Sequence, residues 1–221
     1  MKILLDYGHG GSDPGAIGVD NLKEKDIVKE IGKRVKYHLE RHQQTVIESR
    51  LNDETVSLTE RSNKANSNNV DLCVSIHANY FTNSSAQGVE IYYYKTSARG
   101  QQLANSVLNE IIKAKLYTKN RGLKTDNLHM TRETKMPSIL VELGFISNVT
   151  DKDLIVNNKE NFAIAIAKGI LNYFDIIYKT ETTQTISDKL YRVQVGAFSV
   201  KSNAEKLALE LKEKGYDVCI V

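Results

Sequence analysis

"VDLCVSIHAN", residues 70–79, holds the strongest apolar run of the chain and ends on a histidine and a polar turn. A run this short and aliphatic, bounded by polar residues, has the form of a strand buried on both faces. Two other runs share that form. "KILLDY" (2–7) is closed by glycines, and "SILVELGF" (138–145) follows Pro137 and is closed by Gly144. "TVIESR" (45–50) and "GVEIYYYK" (88–95) read as further strands. Between them lie helical patterns. Ile27, Ile31, Val35 and Leu39 mark one face of a helix over 24–42, and Leu103, Val107 and Ile111 mark another near 98–116. Phe162, Ile166, Ile170 and Phe174 recur at spacing four near 160–175. Ser57 and Glu60 spell a capping box opening a polar helix through Asn69. Strands alternating with helices predict an α/β fold: a twisted, mostly parallel sheet flanked by helices on both faces.

Bulk properties narrow the function classes. The chain has 221 residues, 41% hydrophobic and 26% charged, enough for one full domain with a small appendage. A net charge of +3 suits an anionic surface without demanding nucleic acid. No run approaches the roughly 18 apolar residues of a membrane span. "MKILLDYG" is too short for a signal-peptide core, so the expectation is synthesis in the cytoplasm and release to the site of action by another route. Cys73 and Cys219 sit in apolar, strand-like runs and read as buried thiols. No CxxC occurs, which argues against a thiolate zinc site.

The tail differs in texture. Residues 178–189, "YKTETTQTISDK", are polar and Thr-rich, the composition of a linker after a domain spanning 1–177. Residues 190–221 then read as strand, capping box at Ser202–Glu205, helix, Gly215 as C-cap, and strand, a single small βαβ unit. A two-stranded unit is marginal alone and calls for a partner surface.

Chemistry concentrates at strand ends, where open α/β sheets bind ligands. His9 follows the first strand inside "GHGGSDPG", His77 ends the third, and Glu142 lies within "ILVELGF", where a carboxylate is costly unless paired or functional. Glu24 opens a helix. Two histidines and a glutamate with an open fourth position form one of the catalytic zinc sets, and a further glutamate could take the proton from the bound water. Each residue also has a plain structural reading: a strand-end histidine as a turn residue, Glu24 as a favourable charge at a helix N-terminus, Glu142 as half of an ion pair. There is no HExxH to decide between them.

Six blocks together weigh on that choice: "ILLDYGHGGSDPGAIG", "LKEKDIVKEIGKRV", "SRLNDETVSLTERSNKAN", "DLCVSIHAN", "GVEIYYY" and "RETKMPSILVELGFISN". In this order, over about residues 1–175, they resemble the zinc-dependent N-acetylmuramoyl-L-alanine amidases of bacterial cell walls, the amidase-3 family. Tyr7 departs from the family, which usually has proline before "GHGG"; the change removes no metal-binding group. The resemblance implies that His9, Glu24 and His77 are zinc ligands and Glu142 the catalytic carboxylate. It implies a zinc-activated water attacking the lactyl carbonyl of muramic acid, with Glu142 passing its proton to the leaving L-alanine amine. Arg50 and Arg61 read as structural pairs. Asn79, Arg132 and Glu133 are candidates for the cleft, and His129 for its edge. Only "YFTNSSAQ" (80–87) separates two strands where some relatives insert an occluding helix, which predicts an open cleft.

"LYRVQVGAFSVKSNAEKLALELKEKGYDVCIV" resembles one half of a SPOR wall-binding module; either a second copy of the chain supplies the other half, or the half-module is a truncated, poorly ordered relic, and its intact capping box and apolar period favour the first. The implied substrate is peptidoglycan and the implied role cell lysis, as a phage endolysin or a mother-cell autolysin of a spore former. Two other readings use the same residues: a zinc peptidase cutting peptide stems, and a silent wall-binding protein.

Overall fold

The computed structural model describes residues 1–180, 194–216, 218 and 220. They fall into two units, Met1–Lys179 and Thr180–Val221.

The first unit is built on six strands: β1 (Lys2–Tyr7), β2 (Thr45–Glu48), β3 (Leu72–Asn79), β4 (Val89–Tyr93), β5 (Asn120–Thr125) and β6 (Ser138–Phe145). Their order is β2-β1-β3-β6-β4-β5, and every neighbouring pair is parallel except β4 with β6. The expected twisted, mostly parallel sheet is therefore present. The helices are α1 (Glu24–Arg41), α2 (Leu58–Ser67), α3 (Ala98–Lys113), α4 (His129–Arg132), α5 (Val149–Asn157) and α6 (Lys159–Tyr173). The Ser57–Glu60 capping box forms reciprocally and starts α2.

The two sheet faces are covered unequally, and this places the site. Alternate residues of a strand point to opposite faces. Ile3, Leu5 and Tyr7 of β1, Leu72, Val74, Ile76 and Ala78 of β3, and Ile139, Val141 and Leu143 of β6 all join a large core with α1, α3 and α6. Leu4 and Cys73 face the other way, into a small cluster with Ala65 of α2 and Met130 of α4. By the same alternation His77, Glu142 and Glu90 lie on this second face, at strand ends beyond that small cluster. A helix that short leaves the polar row open.

Tyr7 is fully buried. A Cβ at Gly32 of α1 would fall on its ring, so the glycine makes the room, and its hydroxyl donates to Glu48 at 3.2 Å. Its N–H donates to Ser49 Oγ at 3.1 Å, a bond closed to proline. Cys73 is buried and free, and burial pushes its thiol up; Cys219 lies outside the described residues.

Three elements escape the hydrophobic pattern. β5, "NRGLKT", is a polar edge strand; α4 has one turn; α5 lacks a marked apolar stripe. In the second unit α7 spans Lys201–Glu213 and buries none of its residues. It starts before the expected capping box: Val200 is the N-cap, and no side chain caps it, so Ser202 sits within the first turn. At the other end Gly215 (φ +86°) donates to Lys212 O and Tyr216 to Leu211 O, the expected glycine stop. Residues 194–198, 218 and 220 are in no strand; the rest of both expected tail strands, and most of the 178–189 linker, lie outside the described residues.

Candidate metal centre

His9, Glu24 and His77 come together. One donor atom from each lies within 4.8 Å of the others. His9 Nε2 is 3.1 Å from Glu24 Oε2, and His77 Nδ1 is 2.9 Å from Glu24 Oε1. Tetrahedral zinc with bonds of about 2.0–2.2 Å sets neighbouring ligands about 3.4 Å apart, so a small adjustment seats an ion.

The backbone builds this cluster deliberately. β1 ends at Tyr7, and His9 then takes a left-handed conformation (φ +61°), uncommon for a residue with a side chain and frequent at functional sites. Two buried arginines hold that turn by its carbonyls. Arg61 donates to Tyr7 O and His9 O, both at 2.6 Å; Arg50 donates to Tyr7 O at 3.0 Å, Gly8 O at 3.2 Å and Lys25 O at 2.6 Å. Arg61 also pairs with Asp6 at 2.7 Å, as its structural reading expects, whereas Arg50 bonds carbonyls. Gly8 lacks a Cβ where one would strike the His77 ring. Gly15 (φ +66°) lacks one where it would strike His9 and Glu24. Glu24, the first residue of α1, is fixed by backbone N–H groups of Ala16 (2.9 Å) and Ala78 (3.0 Å), one for each oxygen.

The electrostatics favour positive charge at this point. Burial works against ionisation of Glu24, but hydrogen bonds and charge from His77 and His9 outweigh it and hold the carboxyl low. Burial likewise opposes a charged His9, yet Glu24 and Asp13 raise it to about 9. The donor set of two imidazoles and a carboxylate fits zinc.

Glu142 stands in register with His77 on one side and Glu90 on the other, so the three side chains form a row across β3, β6 and β4. Its Oε2 is buried without a hydrogen-bond partner among the described residues. Burial, then the charges of Glu24 and Glu90, push its carboxyl well above the usual range.

Among the described residues no hydrogen bond brings the remaining candidates to the cluster. Asn79 donates to Glu90 at 2.8 Å. Arg132 pairs with Glu133 at 2.6 Å and bonds Asn127, at the end of α4. His129 meets Ser62 of α2 at 3.1 Å. Three residues of the site are absent from the sequence reading. Asp13 holds His9 Nδ1 at 2.8 Å, the outer-shell acceptor that a ligating imidazole needs; as the carboxylate of the "GHGGSDPG" loop it was legible. Glu90 is a buried carboxylate in an apolar strand, the same signal that singles out Glu142. Arg121, its ion-pair partner, carries no such signal.

Fold and site define an α/β protein with three candidate metal ligands gathered at the strand ends of an open sheet face. The chain belongs to the N-acetylmuramoyl-L-alanine amidase family, which matches residues 3–172, and a SPOR domain matches residues 187–220. It is 36% identical to the sporulation-specific N-acetylmuramoyl-L-alanine amidase of Bacillus subtilis (strain 168) over 224 residues, covering 100% of this chain and 84% of that protein. The amidase AmiC2 of Nostoc punctiforme superimposes with a TM-score of 0.76 at 38% identity, covering 79% of this chain and 97% of that one. The catalytic domain of the amidase CwlV from Bacillus (Paenibacillus) polymyxa var. colistinus gives 0.75 at 30% identity, covering 80% and 99%. The enzyme is thus an amidase of peptidoglycan.

Proposed function

We propose that this amidase is zinc-dependent, with His9, Glu24 and His77 holding the ion and Glu142 moving the proton, and that it serves as an autolysin in sporulation. The observation that carries this reading is the register of His77 with Glu142 beside the convergence of His9 and Glu24. Bound zinc supplies Lewis acidity and lowers the pKa of its water toward about 7.

The chain's own residues do the rest. Asp13 fixes the ring of His9, and the Arg50–Arg61 pair fixes the turn that carries it. Glu142 accepts a proton from the attacking water as its oxygen bonds to the lactyl carbonyl carbon. It then delivers that proton to the nitrogen of L-alanine as the C–N bond breaks. Burial and the charges of Glu24 and Glu90 raise this carboxyl, the direction that favours its holding a proton between the two steps. No side chain of the 80–87 loop bonds to the three ligands among the described residues, which supports an open, constitutively accessible cleft. The autolysin role is supported by a sporulation-specific relative that aligns along the whole chain, tail included.

The test is digestion of purified peptidoglycan by zinc-loaded and chelator-treated enzyme, with identification of the new termini. New N-terminal L-alanine, lost on chelation and restored by zinc, is expected. Cuts elsewhere in the stem support a peptidase instead, and full activity without metal overturns the zinc assignment. We further propose that the tail pairs with a second copy. In the second unit Val195, Phe198, Val200, Leu209 and Tyr216 are exposed, apolar surface that pairing would cover. Light scattering of the full chain at micromolar concentration should give a dimer, and a monomer removes the idea.

A further inference from the structure

Beyond Glu142, the polar row across the open sheet face continues to Glu90 and then to Arg121. Between β4 and β5 the register slips: Val89 faces Asn120, but Ile91 faces Leu123, so Arg121 and Gly122 together oppose the single residue Glu90. The slip is a β-bulge, and Gly122 takes the left-handed conformation (φ +79°) that it needs. Bulges re-aim side chains, and this one turns Arg121 onto Glu90. Arg121 Nε donates to Glu90 Oε2 at 2.6 Å, and its guanidinium lies 5.0 Å from the centre of the Phe145 ring. Glu90 is buried and held on its other oxygen by Asn79 (2.8 Å) and the Tyr92 hydroxyl (3.0 Å). Arg121 is therefore oriented by a fixed carboxylate on one edge and a ring on its face, yet its side chain is 31% exposed. Its Nη1 and Nη2 make no hydrogen bond among the described residues. A guanidinium held by Nε, with both Nη groups open, presents the planar fork that recognises a carboxylate in two bonds.

The row holds the carboxylates Glu142 and Glu90, and Glu24 of α1 adds a third near its His77 end; together they disfavour an acidic substrate. The stem peptide of peptidoglycan is acidic: its second residue, a glutamate linked through its side chain, bears an α-carboxyl group one residue past the scissile amide. We infer that Arg121 binds this α-carboxylate, so that the enzyme selects stems whose second residue carries a free acid over stems in which it is a carboxamide. The inference rests on the amidase reading and names the specificity of that same site. A carboxamide offers one acceptor in place of two and no charge, and it loses the charge-assisted part of the contact.

The test compares two defined glycan-linked muropeptides that differ only in that carboxyl or carboxamide. The metal-loaded wild type should favour the acid by about tenfold or more in kcat/KM, mainly through KM. Arg121→Gln should bring the ratio close to one while still releasing alanine termini. Because this variant leaves Glu90 buried and unpaired, Glu90→Gln/Arg121→Gln is measured beside it and should give the same levelled ratio. A ratio taken within one variant does not depend on its folded fraction. An acid-to-amide ratio in either variant equal to the wild type's, or a wild type without preference, overturns the assignment while the amidase reading stands. Absence of new alanine termini from both substrates and from whole walls overturns that reading, and this inference with it.

Discussion

Asp6 and Glu142 are two carboxylates on neighbouring parts of one sheet, on the same thinly covered face, and they are treated in opposite ways. Asp6 is 1% exposed, accepts from Arg61 at 2.7 Å and from Ser75 Oγ at 2.6 Å, and has its carboxyl lowered. Burial by itself would raise it, but the Arg61 charge, the Ser75 bond and a contribution from His77 prevail. Among the described residues no arginine pairs with Glu142 and no bond reaches its Oε2, and its carboxyl is raised. The two share the cost of leaving water and differ in whether a partner repays it. A carboxylate paired this way is scaffold; one left without a partner fits the proton-transfer role proposed for Glu142. The scaffold in turn serves the chemistry, because the same Arg61 that neutralises Asp6 holds the carbonyls on which the His9 turn hangs.

The sharpest way to break this comparison is Glu142→Gln. We expect alanine release to fall about 10²–10⁴-fold, the size of a lost general acid–base group, while the melting temperature holds or rises because an unpartnered acid has been removed. Unchanged activity would make Glu142 structural and erase the contrast. Arg61→Met comes next. Stranding a buried Asp6 should cost about 3–5 kcal/mol of stability by denaturant unfolding, and Asp6→Asn/Arg61→Met should recover part of it. A cost below about 1 kcal/mol would mean that water already screens the pair. Ser75→Ala removes one hydrogen bond to a charged, buried group and should cost about 1.5–3 kcal/mol with kcat preserved.

The mildest effect is acid sensitivity. Because the folded pKa of Asp6 lies below its unfolded value near 3.9, its stabilisation is full above that value and fades as pH falls through the folded pKa. Its contribution to the slope of stability against pH is at most about 1.4 kcal/mol per unit. Urea titrations between about pH 2 and 5 should show a shallower slope in Asp6→Asn than in the wild type; identical slopes would assign the acid limb to other carboxylates.

Much of this was legible in the residues themselves. The bounds of β1 and β6 follow from apolar runs ending in glycine or opened by proline, and α1, α3 and α6 from period-four stripes, because burial imposes those patterns directly. His9, Glu24, His77 and Glu142 stand out because each is polar where a strand ends or an apolar run should continue. What no local pattern carries is pairing across the sheet. The antiparallel placement of β4 beside β6, the polar edge strand β5 with its bulge, and so the meeting of Glu142, Glu90 and Arg121 depend on which strand lies next to which. Two arginines nearly adjacent to no ligand in sequence become clamps on the His9 turn only when β1, the loop after β2 and α2 are brought together. Composition and periodicity are set by what each residue does to its own exposure to water; the site is set by distances between residues tens of positions apart, and only the folded sheet makes those short.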